Sequence, residues 1–283
     1  MAEATAGVAA PRRRRRRSLF FAIGASLLAL FVFLAAFGPL IAPYDPYAQD
    51  LLALLDPPSA AHWLGADQVG RDILSRLIVG TRTTLMIALV SVALAGVMGV
   101  ALGLVAGYFG GAADRAITIF IDLLLTVPNL VLAIAIVSAV GASAVGLIVA
   151  ITASFVPPLA RLVRGRVMEV REEDFVSAVR TIGMSRARIL VRHVLPNAAS
   201  VIVIELSLLA GQAVLVASAL GFLGLGVQPP DPEWGAMLGA SRELLSVAPH
   251  LVIAPGLAIT LLVFAFNMLG DGLRDKLDPN FSG

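Results

Sequence analysis

Five stretches of this chain hold no Asp, Glu, Lys or Arg at all. They are Ser18–Tyr44, Thr83–Ala113, Leu123–Ala160, Leu206–Pro230 and Leu244–Gly270. A helix needs about 20 apolar residues to cross the roughly 30 Å hydrocarbon core of a bilayer. Four of the stretches each fit one crossing. The 38 residues of Leu123–Ala160 are too many for one, and Gly141-Ala142-Ser143 offers a turn inside them. That run therefore splits into two helices, the first extended back to Ala116. The chain is predicted to be all-α, a polytopic membrane protein with six transmembrane helices over about 19–41, 83–107, 116–139, 144–163, 198–222 and 251–269. The bulk composition agrees: 58% of the 283 residues are apolar and 14% charged. A soluble domain holds about 25% charged residues.

Six crossings put both termini on one side, and basic residues decide which. With the N-terminus inside, the inner segments hold seventeen of the 21 basic residues. These are Arg12–Arg17, Arg115, the eight arginines from Arg161 to Arg192, Arg274 and Lys276. Only Arg71, Arg76, Arg82 and Arg242 fall outside. The expected topology is N-in, C-in. Residues 1–18 form a basic cytoplasmic tail, 19–41 the first transmembrane helix and 42–82 an extracytoplasmic loop. Residues 83–283 form a core of five further transmembrane helices. The arginine run reads as a positive-inside anchor rather than a nucleic-acid site. The apolar stretch after Arg16-Arg17 is too long for an export leader.

Several chemistries are excluded early. There is no cysteine, so zinc–thiolate sites and thiol nucleophiles are out. His62, His193 and His250 lie far apart, and no metal site is expected. The single lysine, Lys276, precedes Leu277, so no phosphate loop with a GK[ST] ending exists. No catalytic residue is assigned and no cofactor is expected on this chain. If nucleotide hydrolysis drives it, another chain supplies the site.

Two connecting segments are too long for simple turns. In the outer one, Asp67–Arg82 reads as an amphipathic helix. Ile73, Leu74, Leu77 and Ile78 share a face, and Asp72 and Arg76 are spaced for an i,i+4 pair. A helix lying on the outer surface beside a gate and a plain surface helix are both open readings. The inner segment, 164–197, reads as a helix–turn–helix. Phe175, Val179 and Ile182 recur at helical spacing, and Gly183 is placed to end the first helix. A second short helix fits Ser185–His193, with Ser185 as its cap and Pro196 stopping it before the fifth span. An apolar ridge in a charged rim is what a docking surface for a cytosolic partner requires.

Here the sequence resembles the "EAA" coupling loop of inner-membrane permeases in ATP-binding-cassette importers. Gly183, Leu195 and Pro196 match at the right spacing, and Ala178 matches. Ser177 stands for the Glu, Val179 for the second Ala and His193 for the Ile. The likeness extends along nearly the whole chain to the second permease of dipeptide, oligopeptide and nickel importers. It is carried by Leu40-Ile-Ala-Pro-Tyr-Asp-Pro46 and by the segment from His62 through Ile78. Ala106–Gly111, Ala160–Gly165, Arg192–Asn197, Phe222–Pro230, Glu233–Leu238 and Phe266–Asp275 carry it further. Members often have Glu five residues before the Phe-Leu-Gly-Leu-Gly segment, where this chain has Ala217.

The resemblance implies a permease without its own ATPase site. Its partners would be a second homologous permease, two cytosolic ATP-binding subunits that use ATP and Mg, and an extracytoplasmic substrate-binding protein. It implies a bacterial inner membrane as the location and a di- or oligopeptide as cargo, with nickel as the alternative. The coupling surface would comprise Asp174, Phe175, Val176, Ala178, Val179, Ile182, Gly183, Arg186, Arg188, Leu195 and Pro196. A self-sufficient secondary transporter is the rival from another class. It would show internal repeats and midplane ion sites, and neither is seen in the sequence.

Other residues carry expectations of their own. Gly99, Gly103 and Gly107 form overlapping GxxxG patterns suited to close helix packing. Asp122 and Glu205 lie within spans but toward their inner ends, where pairing with inner arginines is expected. Pro128, Pro157, Pro158 and Pro255 should kink their spans. Trp234 is either an interfacial anchor or part of a contact for the binding protein. Substrate-binding residues are unknown at this level.

Overall fold

The computed structural model describes residues 11–277, so residues 1–10 of the basic tail and 278–283 lie outside the described region. The described residues are all-helical, apart from one isolated bridge between Ala66 and Asp72. The long elements are α1 (Pro11–Ile41), α2 (Ile73–Phe109), α3 (Gly111–Leu125), α4 (Asn129–Val140) and α5 (Ala144–Arg171). After them come α6 (Asp174–Thr181), α7 (Arg186–Ile189), α8 (Leu195–Phe222), α9 (Trp234–Ser241) and α10 (His250–Leu277). Five helices are long and apolar enough to cross a membrane, or six crossings if the bent α3–α4 pair is one.

Contacts order these helices into an alternating bundle. Gly24 of α1 lies against Met268 of α10, and Gly38 near the other end of α1 lies against Ile78 of α2. Gly99, Gly103 and Gly107 of α2 face Leu159, Val163 and Val167 of α5 in turn. One end of the bundle therefore gathers the start of α1, the α2–α3 turn, the α5–α8 connection and the end of α10. The ammonium of Lys276 sits 3.7 Å from the Phe21 ring centre at that end. Nearly all the basic residues lie there as well, so it is called the arginine-rich end below.

The third crossing departs most from expectation. Thr126-Val127-Pro128 does not merely kink it: α3 and α4 meet at 90°. Proline lacks the N–H and restricts the residue before it, and the apolar run ends one helix and starts another there. Asp114 of α3 pairs with Arg164 near the end of α5, while Val137 of α4 packs near Gly146 at its start. The broken pair thus travels the length of α5. Pro157, Pro158 and Pro255 stay inside continuous helices.

The outer amphipathic helix is also corrected. It is not separate: Ile73–Arg82 is the first part of the 37-residue α2 and runs straight into the bundle. Asp72 is not paired with Arg76. It is the N-cap, accepting from the Ser75 N–H at 2.8 Å and facing His62 Nδ1 at 2.9 Å. Arg76 turns instead to the Pro46 carbonyl at 2.9 Å and the Pro230 carbonyl at 3.3 Å. An arginine inside the first turns of a helix can tie two loops because its fork carries several donors.

The same end holds Trp234 and Glu233. Trp234 is 1% exposed, so it is neither an interfacial anchor nor a free docking residue. Its indole donates to the Leu77 carbonyl at 3.0 Å. Glu233 caps α9, accepting from Gly235 and Ala236 N–H groups and from Thr84 Oγ1. Burial raises the pKa of its carboxyl, and the three hydrogen bonds act in the opposite direction.

Candidate coupling surface

At the arginine-rich end α5 runs on to Arg171, two turns past the predicted span. Glu172 and Glu173 turn the chain, and α6 follows with Asp174 in its first turn, where a carboxylate favours the helix dipole. Gly183 ends it at φ +83°, a left-handed conformation that glycine adopts without strain. The Gly183 N–H bonds the Arg180 carbonyl at 3.1 Å, and Met184 bonds that of Val179 at 3.3 Å. These bonds satisfy carbonyls that the helix end leaves open.

The second half of the connection differs from the sequence reading. Ser185 stands at the N-cap of α7, but its side chain makes no capping bond. Pro196 does not stop the helix. A π-helical turn over Leu190–Val194 carries α7 into α8, with Pro196 as the second residue of α8. The wider turn accommodates a proline ring that would strike the carbonyl four residues back. Asn197 Nδ2 donates to the His193 carbonyl at 2.6 Å within that turn.

The predicted ridge divides into two faces. Val176 is fully buried, with Ile189 and Val194, and these join the cluster of Val163, Val167 and Val170 on α5. Val179 and Leu195 are half-buried against the same cluster. Pointing away are Phe175, Ala178, Ile182, Arg186, Arg188 and Pro196, with Ile182 78% exposed. Val191, which was not among the predicted residues, is exposed beside them. So the inward valines fix the helix–turn–helix to α5, and a smaller outward set of Phe175 and Ile182 is left within charge. The lower edge is clamped as well. Arg171 donates to the Gly107 carbonyl at 3.0 Å and to Glu172. Arg164 holds Asp114 through two bonds of 2.5 and 2.8 Å.

This clamp continues upward as the glycine seam. A Cβ at Gly103 would fall 2.6 Å from Val163 Cβ and 2.7 Å from the Ala160 carbonyl. Gly99 and Gly107 meet α5 almost as closely. The bare glycine faces let α2 and α5 form the most extensive helix pair in the bundle. The α6–α7 turn is therefore packed on α5, and α5 on α2.

Of the two charges inside spans, Asp122 pairs with Arg161. Glu205 has no such partner among the described residues. No group of three or more His, Asp or Glu side chains that would hold a metal occurs among them either.

Comparison with known proteins decides what such a chain is. Residues 99–283 match the family model described as "Binding-protein-dependent transport system inner membrane component". The chain belongs to that family. Residues 12–58 of the permease also match the "N-terminal TM domain of oligopeptide transport permease C". The permease is 44% identical over 269 residues to the glutathione transport system permease protein GsiD of Pectobacterium atrosepticum, covering 95% of this chain and 89% of the relative. It is 43% identical to the dipeptide transport system permease protein DppC of Alkalihalophilus pseudofirmus, covering 91% and 84%. The probable D,D-dipeptide transport system permease protein DdpC of Escherichia coli is 42% identical, with 92% and 87% covered. A chain of the inward-facing MetNI methionine ABC transporter shares the fold. It has a TM-score of 0.59 and 20% identity, with 71% of the permease and 96% of that chain covered. The protein is thus a multi-pass transport permease of the ABC-importer class.

Proposed function

We propose that this permease carries peptide-class cargo inward in an ATP-driven importer, docking its ATPase through the α6–α7 turn. The observation that carries the docking claim is the exposed pair Phe175 and Ile182 beside the Gly183 turn, in a rim of arginines and acids. Peptide-class cargo rests on relatives named for dipeptide, D,D-dipeptide and glutathione transport. In this reading the arginine-rich end faces the cytoplasm of a bacterial cell, as positive-inside placement favours. A second permease completes the pore. Two cytosolic ATP-binding subunits supply the ATP and Mg site that this chain lacks, and an extracytoplasmic binding protein delivers cargo.

The test is uptake into proteoliposomes holding both permeases and both ATPases, with the binding protein outside. Alanyl-alanine uptake is expected to need ATP inside and to vanish with Ile182→Asp, while that variant still inserts and folds. Uptake driven by an ion gradient without the ATPases would overturn the importer reading in favour of a secondary transporter. Uptake of nickel but of no peptide would overturn the cargo assignment alone.

A further inference from the structure

Uncharged polar side chains are few on the outer surfaces of the spans, and some of them satisfy themselves. Ser207 donates to the Val203 carbonyl and Thr260 to the Gly256 carbonyl, both one turn back. Two carboxamides do not. Gln212 of α8 and Asn267 of α10 are both exposed, and neither makes a side-chain hydrogen bond among the described residues. They are also close together. Asn267 Oδ1 lies 3.2 Å from where a Cβ of Gly211 would stand, one residue from Gln212. Glu205, half-buried and unpaired among the described residues, stands seven residues before Gln212 on the same face of α8. At 1.5 Å per residue, Gln212 sits about 25 Å along the 28-residue α8 and Glu205 about 15 Å along it.

The depth decides what this face meets. Hydrocarbon offers no partner to a carboxamide, and an unsatisfied polar group there costs several kcal/mol. Acidic side chains within spans face a bundle interior or a water-filled cavity almost without exception. Yet no described residue covers Gln212 or Asn267, and Glu205 is only half-buried. We propose that the α8–α10 face bearing Glu205, Gln212 and Asn267 lines the substrate path. There the two carboxamides bond the main chain of a passing peptide and Glu205 draws its cationic amino end. A carboxamide both donates and accepts, so it matches either polar group of a peptide unit whatever the side chains. The proposal rests on the importer reading above and adds to it where the cargo runs. Polar contacts between the two permeases are the competing use of such a face.

The chain contains no cysteine, which makes thiol labelling clean. Gln212→Cys, Asn267→Cys and, as a surface control, Val97→Cys on α2 (72% exposed) are placed in the assembled importer. The unsubstituted complex is first shown to import with ATP and gives the background from the other subunits, and each variant complex is shown to assemble and to hydrolyse ATP. Membrane-impermeant cationic and anionic methanethiosulfonates are the probes. Thiols at 212 and 267 are expected to react at least tenfold faster than at 97. Glu205 is about 10 Å from residue 212 along the helix, comparable to the Debye length. The cationic reagent should therefore react several-fold faster than the anionic one at 212, and Glu205→Gln should remove that preference. Because the preference is a ratio within one protein, a loss of folded material does not imitate it. Reaction at 212 and 267 no faster than at 97, in assembled complexes whose parent imports with ATP, overturns the pathway and leaves the contact between permeases. A parent complex that imports without ATP refutes the importer reading instead, whatever the labelling shows.

Discussion

At the scale of single residues, the close approach of α2 to α5 rests on absent side chains. The Cβ that Gly103→Ala adds meets Val163 Cβ and a carbonyl, neither of which is a flexible chain end. Overpacking of this kind costs about 1–3 kcal/mol. The variant is expected to unfold at a clearly lower temperature in detergent than the parent. Gly165→Ala, where a new Cβ would meet nothing within 4 Å, should unfold no earlier than the parent. Equal melting of the two variants would show that the glycine seam is not the fastening it is taken to be here. At the opposite end Trp234→Phe keeps the ring and removes the bond to Leu77. A net loss of about 1 kcal/mol is expected from the lost indole bond, the Leu77 carbonyl still accepting from Thr81 Oγ1. Differential scanning fluorimetry reads both effects.

Residues of this kind were unevenly legible. The GxxxG spacing announced the seam because glycine is unusual inside an apolar run. Trp234 and Glu233 gave no comparable sign, since their partners Leu77 and Thr84 lie about 150 residues away in sequence. Asp72 misled through spacing. The i,i+4 rule applies within a helix, whereas Asp72 precedes the helix and spends its oxygens on the cap. Gln212 and Asn267 carry no formal charge, so the charge pattern of the spans does not mark them. The signal that would have found them is a carboxamide inside a charge-free run.

At the scale of elements, five crossings, and a sixth if the bent α3–α4 pair is one, followed from length and apolarity alone, because a bilayer permits few alternatives. What sequence could not fix was continuity. Whether Pro128 kinks or breaks a helix, and whether Pro196 ends one, depends on neighbours that replace a lost bond. In the first case the chain turned through 90°; in the second a π turn absorbed the ring. The α6 helix shows the same limit. Its apolar spacing was plain, but which valines point inward is settled only by α5. This division sets a prediction for the element. Val176→Asp places a charge in the cluster with Val167 and Val170 and should lower the yield of folded protein. Ile182→Asp should leave melting unchanged while ATPase subunits no longer co-purify. If Ile182→Asp retains its ATPases in normal ratio, the outward pair is not the docking surface.

At the scale of the whole molecule, most of the basic residues are sorted to one end, and the closely packed α2–α5 pair connects that end to the opposite one. Force applied at the α6–α7 turn would be transmitted by α5 and, through the glycine seam, by α2. Along α2 it reaches the Arg76 and Trp234 ties that hold the two loops at the far end. The α8–α10 face with its polar groups stands beside this pair. On the proposed function, that arrangement gives the permease a place to receive a push, a lever and a path.

The central claim is that the Gly183 turn meets a cytosolic ATPase while the 42–72 loop lies across the membrane. Single cysteines at Ile182 and at Leu52, which is 95% exposed in that loop, test both halves at once in intact cells. The account predicts that Ile182→Cys cross-links to an ATPase subunit and resists an impermeant thiol reagent added outside, whereas Leu52→Cys reacts with that reagent and cross-links to no ATPase. External labelling at Ile182, or an ATPase cross-link at Leu52, would contradict it.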